Sequence, residues 1–167
     1  MNQTWISKSV LAAVIGLAAA PGHAAESGDI PADFARRCHE LAQLAQPGTE
    51  PLATSVVAGS TLTVVGQSLT IPAYCRVRTV VRPAIRVEVR LPVDSAWNGR
   101  YFQSGCGGLC GDVLTDYPHL FNSSLPGQAR GYATATSDTG HWGANTDGRW
   151  AYANPQAEED FAYRSIG

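Results

Sequence analysis

Charge of either sign is scarce in this 167-residue chain: 16% of residues are charged, and the formal net charge is −2. No basic run occurs anywhere. Both facts speak against nucleic acid or an anionic membrane surface as a partner. Long apolar runs are lacking too. The longest, "SVLAAVIGLAAA", holds about a dozen residues, too few to span a bilayer. No repeat or low-complexity segment appears, which excludes a solenoid. Three motifs are also missing. The serine elbow G-x-S-x-G does not occur, because "GQSLT" at Gly66 lacks the second glycine. The dinucleotide fingerprint G-x-G-x-x-G fails because position 110 is Cys. No Cys and His spacing matches a standard zinc ligand set.

What is present begins with an export signature. Lys8 gives a short positive region, the apolar run follows, and "PGHAA" offers small residues for cleavage. Gly22 and Ala24 occupy the −3 and −1 positions of a cut after Ala24, and a cut after Ala25 also fits. This layout predicts a signal peptide over residues 1–24, the alternative being a buried N-terminal helix. The mature chain, 25–167, is then expected to be secreted or periplasmic. No lipidation cysteine follows the cleavage site. All 4 cysteines (Cys38, Cys75, Cys106, Cys110) fall in the mature part, and in an oxidising compartment an even number suggests disulfides.

Along the mature chain, "DIPADFARRCHELAQLAQPG" reads as a helix that Pro47 and Gly48 end. Phe34, Cys38 and Leu41 share one face, so Cys38 points inward. Thr54 to Val65 reads as short strands, and Cys75 falls in a strand after a break at Pro72. In "AIRVEVRLP", Ile85, Val87, Val89 and Leu91 alternate with Arg86, Glu88 and Arg90. That pattern predicts a strand with one solvated face. Asn98-Gly99 then sits where a hairpin turn would lead into the strand "RYFQS". A loop with a short helix is expected up to Arg130, then a strand in "GYATATSD", then loop. A last helix opens at Asn154 as N-cap, with Pro155 at the first position and acidic residues in the first turn. This order, hairpin strands followed by strand, Gly-rich loop, strand and helix, is that of the start of an α/β domain. Its later parallel strands are missing, so an N-terminal fragment is expected.

The Gly-rich stretch "GCGGLCG" is the first candidate for chemistry. Directly after a strand, such a turn can present backbone N–H groups to an anion, including the oxyanion of acyl transfer. The competing reading is a tight structural turn. Cys106 and Cys110 could pair locally if their Cα atoms come within about 7 Å. Two unpaired thiols, or partners beyond Gly167, are the alternatives. Zinc held by these cysteines with His119 or His141 is disfavoured, as is a Cys106–His141 thiol hydrolase. "SDTGH" offers Ser137, Asp138 and His141, the residue types of a hydrolytic triad. Triad members usually come from separate loops. Asp138 is therefore read as a partner for backbone N–H groups, and His141 as packing or hydrogen-bonding in the next loop. Asn122 opens a glycosylation sequon, meaningful only in a eukaryote.

Cys38 in the first helix, "IPAYCRV", "IRVEVRLP", "WNGRYFQSGCGG", "GYATATSDTGH" and "DFAYRSIG" form an ordered set across nearly the whole mature part. In these motifs the chain resembles the tannase/feruloyl esterase family of secreted serine esterases. The resemblance implies the N-terminal part of an α/β-hydrolase fold, an incomplete mixed sheet with flanking helices. It implies a disulfide between Cys38 and Cys75, and an oxyanion-hole N–H at Gly108, with Gly107 as the weaker candidate. It places the family's Ser, Asp and His, and an inserted lid domain, beyond residue 167. Residues 25–167 would thus be truncated before both. No cofactor is implied in this chain, and calcium belongs to the absent lid. The implied partner is a small aromatic ester, with no nucleic acid and no membrane. The rival reading is a small exported β-rich binding module without catalysis.

Overall fold

The computed structural model describes residues 30–105, 107–109, 111–113 and 123–166. The expected signal peptide, the Cys106 and Cys110 pair, His119 and the Asn122 sequon lie outside the described residues. Helix α1 spans Ala32–Glu40 and tightens into a 3-10 turn, Leu41–Gln43. Pro31 stands at its start, where a missing N–H costs no helical bond. Phe34 and Cys38, one turn apart, are buried. Among the described residues seven strands follow: β1 (Ala53–Val57), β2 (Ser60–Val64), β3 (Gln67–Ile71), β4 (Tyr74–Val81), β5 (Ile85–Pro92), β6 (Tyr101–Gln103) and β7 (Ala133–Ser137). Helix α2 covers Leu125–Ala129. Helix α3, Pro155–Glu159, runs into a π-helical turn, Asp160–Arg164.

The main sheet has the order β1-β4-β5-β7-β6, and β2 and β3 form a separate hairpin. All neighbours in the main sheet are antiparallel except β6 and β7, which run parallel. This is the incomplete mixed sheet with flanking helices that the resemblance implied. One face is apolar. There Cys75 and Val77 of β4 pack with Phe34 and Cys38 of α1, joined by Val56, Val89 and Leu91. The expected Cys38–Cys75 disulfide closes on this face, with Cα atoms 5.6 Å apart.

The other face corrects the reading of β5. Arg86, Glu88 and Arg90 were expected in solvent, yet Glu88 is 1% and Arg90 3% exposed. The register places Glu88 beside Arg78 on β4 and Thr136 on β7. Helix α2 and the β2–β3 hairpin close over this face through Leu125, Tyr74, Val64 and Ile71. Buried charges must be paired, and these are. Arg78 Nε donates to Glu88 Oε2 at 2.6 Å, Arg90 Nε to Glu88 Oε1 at 2.7 Å, and the Arg90 guanidinium to Gln128 Oε1 at 3.0 Å. The Arg90 guanidinium also lies 4.9 Å from the Tyr74 ring centroid. Arg86 remains largely exposed but pairs with Asp138.

A second correction concerns Asn98-Gly99. No hairpin joins β5 to β6, because β7 lies between them. The loop instead docks on the entry to β7: Asn98 Nδ2 donates to the Arg130 carbonyl at 2.7 Å and Asn98 N–H to that of Gly131 at 2.9 Å.

Candidate active site

Two parallel strands end side by side, and open α/β sheets place ligands outside the carboxyl ends of such strands. The Gly-rich loop leaves the end of β6, and "SDTGH" leaves the end of β7. Ser104 N–H donates to the Ala135 carbonyl at 3.0 Å, carrying the pairing of the strands one residue further. Beyond it, Gly107 and Gly108 are exposed. Among the described residues, neither Gly107 N–H nor Gly108 N–H has a hydrogen-bond partner. Two separate constraints require glycine at 108. Its φ is +67°, and a Cβ there would lie 2.7 Å from the Asn145 carbonyl oxygen.

The loop is docked on residues 141–145. Leu109 N–H donates to the Asn145 carbonyl at 2.9 Å, and Gly111 and Gly143 exchange N–H to carbonyl bonds of 3.0 and 3.2 Å. His141 fills the space above Gly111, where an added Cβ would lie 2.5 Å from the ring Cδ2. Its Nε2 lies 2.9 Å from the Leu109 carbonyl oxygen, and Nδ1 lies 3.3 Å from Thr139 Oγ1. The ring stacks on Trp150 at 3.9 Å between centroids with 15° between planes, and Phe161 packs against both. The bare turn is therefore filled by the protein's own backbone and by an imidazole. The sequence shows the missing side chains but not what takes their place.

Asp138 is fully buried at the end of β7. Its Oδ1 accepts from Arg86 N–H at 2.8 Å and Gly140 N–H at 3.0 Å, and its Oδ2 from the Arg86 guanidinium at 3.0 Å. These bonds give it the backbone role expected from the sequence. His141 faces Thr139 and Leu109, not Asp138, so "SDTGH" is not assembled as a triad.

Asp160, one of the acids read from the sequence as favouring the positive end of the last helix, is buried. It accepts from Gln156 Nε2 at 2.9 Å and pairs with Arg164. A Cβ on Gly140 would come within 2.6 Å of the Asp160 Cβ, so the start of the π-helical turn packs directly on "SDTGH". The signal was present in "DFAYR", whose acid and base are spaced to meet across one helical turn. Farther out, hydrogen bonds from the Arg149 side chain hold the Asp147 carboxyl down to about 2. Among the described residues no three His, Cys, Asp or Glu side chains gather around a position that could hold a metal ion. Among them, too, no helix is long and apolar enough to cross a membrane.

The family model described as "Tannase and feruloyl esterase" matches residues 63–167. An uncharacterized esterase of Xanthomonas campestris pv. campestris is 36% identical over 135 residues, 77% of this chain and 22% of that protein. A probable feruloyl esterase B-2 of Aspergillus fumigatus is 33% identical over 118 residues, 60% of this chain and 21% of that protein. The crystal structure of feruloyl esterase B from Aspergillus oryzae superposes with a TM-score of 0.60 at 26% identity, covering 80% of this chain and 27% of that one. The chain thus spans roughly a quarter or less of the length of these relatives.

Proposed function

The chain belongs to the tannase and feruloyl esterase family, and on that premise we propose that it is the N-terminal part of a carboxylic ester hydrolase acting on aromatic acid esters of feruloyl or galloyl type. The reaction is acyl transfer. A serine attacks the ester carbonyl, the alcohol or phenol leaves, and water releases the acid. That serine and its Asp and His partners belong to polypeptide beyond residues 1–167. This chain supplies one oxyanion donor, the Gly108 N–H, with Gly107 as the weaker candidate. The residue after the serine supplies the other.

One observation carries this reading: the loop at the carboxyl end of β6 holds Gly108 exposed, with its N–H lacking a hydrogen-bond partner among the described residues. Such a donor acts only if it is fixed before the charge develops, and losing one typically costs about 2.7–4 kcal/mol of barrier. The same proposal includes export by a signal peptide cleaved near Ala24 and a Cys106–Cys110 disulfide in the loop. Calcium belongs to a lid outside this chain, and no step here involves it.

The full natural polypeptide carrying these residues is expected to release free acid from methyl ferulate or methyl gallate, followed by chromatography. A fluorophosphonate should abolish that turnover. No release from hydroxycinnamate or gallate esters overturns the reading. So does turnover that survives the fluorophosphonate and is lost in Cys106→Ala. The reading frame is expected to continue past Gly167 into Gly-Cys-Ser-x-Gly-Gly. A stop codon directly after Gly167 would favour the exported binding module.

A further inference from the structure

We propose that His141 is a positioning residue for ester hydrolysis, its Nε2–H holding the Leu109 carbonyl and so fixing the adjoining Gly108 amide toward the reacting oxygen. The role rests on the esterase reading above. The hydrogen bond itself stands on geometry. A carbonyl oxygen can only accept, so at 2.9 Å from Leu109 O the Nε2 atom carries the proton. The imidazole cannot tilt away easily. Trp150 stacks on it at 3.9 Å, and Phe161 closes on both rings. Nδ1 is held near the Thr139 hydroxyl, which donates to the Asp138 carbonyl at 2.7 Å.

Leu109 is thereby gripped at both ends. Its N–H goes to the Asn145 carbonyl, and its carbonyl takes the His141 proton. Gly108 is the preceding residue: its carbonyl shares the peptide plane of the held Leu109 N–H, and the Asn145 carbonyl stands against its Cα, 2.7 Å from where a Cβ would lie. Gly111 completes the fit, because any side chain there would collide with the ring. His141 in turn follows the Asp138 turn, on which the last helix packs through Gly140 and Asp160. One imidazole thus couples the carboxyl ends of β6 and β7 to the helix that follows them. An oxyanion donor misplaced by about 1 Å can lose on the order of 100-fold in rate.

Two variants of the full natural polypeptide separate the hydrogen bond from the packing. His141→Phe keeps an aromatic ring on Trp150 and removes the donor. His141→Gln gives up the stack and keeps an N–H with similar reach. His141→Phe is expected to lower kcat on methyl ferulate by about 100-fold with KM nearly unchanged. His141→Gln should recover to within about tenfold of the parent. Amide hydrogen exchange at Leu109 and Gly111 should be faster in His141→Phe and near parental in His141→Gln. Parental kcat in His141→Phe, or unchanged exchange at those amides, overturns the proposal. So does exchange accelerated equally throughout the sheet without rescue by Gln, which would make His141 a packing residue only. If the parent enzyme hydrolyses no aromatic ester, the esterase reading fails and the catalytic role with it. The exchange data then still decide whether the imidazole holds the loop.

Discussion

Glu88 carries a charge almost wholly out of water and answers to two arginines, one buried and one half in solvent. Such a cluster adds little net stability over an apolar one of the same shape, but removing one member strands the others. Glu88→Ala should therefore lower the unfolding free energy of the full polypeptide by about 3–5 kcal/mol, read from urea unfolding. Glu88→Gln keeps the volume and one acceptor and should cost clearly less. Equal small losses in both would mean that water reaches this face. The residue pattern explains why the cluster was misread. Strict alternation marks a strand and separates its two faces, but it cannot say whether the polar face is covered. The cover comes from Leu125 and Gln128, some forty residues on in a short helix with little apolar signal of its own. Asp138 was easier, because an acid at a strand end has few roles beyond accepting from turn amides. His141 was expected to pack or hydrogen-bond in its loop and does both, but the identity of its partner, Leu109, depends on a fold-back of the Gly-rich loop that no local spacing encodes.

Helix α1 has few partners apart from the apolar side of β1 and β4, so its link to Cys75 matters more than its length suggests. The disulfide joins residues 37 apart in sequence. In the chain-entropy model, a loop of that size is worth about 4 kcal/mol, gained by restricting the unfolded chain. Cys38→Ser with Cys75→Ser should lose stability of that order in equilibrium unfolding. Fast amide exchange should appear in Ala32–Glu40 first, since Phe34 is then the one buried apolar side chain left in that helix. A melting point unchanged from the parent would show that packing by Phe34, Leu41 and Leu52 suffices without the bond. At this scale the sequence was most legible where local chemistry decides. Asn154 does cap the last helix, its side chain accepting from Ala157 N–H at 3.3 Å. The hairpin expected at Asn98-Gly99 failed because strand order is not a local property. Gly99 does adopt φ of +78°, as a turn there requires, but it serves a crossover loop anchored on Arg130 and Gly131. Parallel pairing of β6 with β7 is set by where that loop docks.

The whole sheet is asymmetric. Strand β1 is exposed on one edge of an antiparallel pair, a position sheets commonly tolerate, whereas β6 is the outer member of a parallel pair. Parallel strands are found almost only where both faces are covered. Yet Tyr101 is 59% and Phe102 39% exposed, and Tyr163 on the last helix and Ile166 just after it stand out further still. On the face of Glu88 and Arg90, the hydroxyls of Ser104, Thr134 and Thr136 are buried without a partner among the described residues. Exposed aromatic side chains on both faces of β6 are what a sheet shows when more strands and helices belong beside it. This agrees with the esterase reading, in which the remaining strands and the serine come from the rest of the polypeptide. Residues 25–167 prepared alone are then expected to hydrolyse neither methyl ferulate nor methyl gallate. They should bind a hydrophobic dye and lose near-ultraviolet dichroism gradually on heating. A sharp cooperative melt without dye binding would mean that β6 is a finished edge. In that case the proposal that catalysis is completed by further strands would give way to the exported binding module.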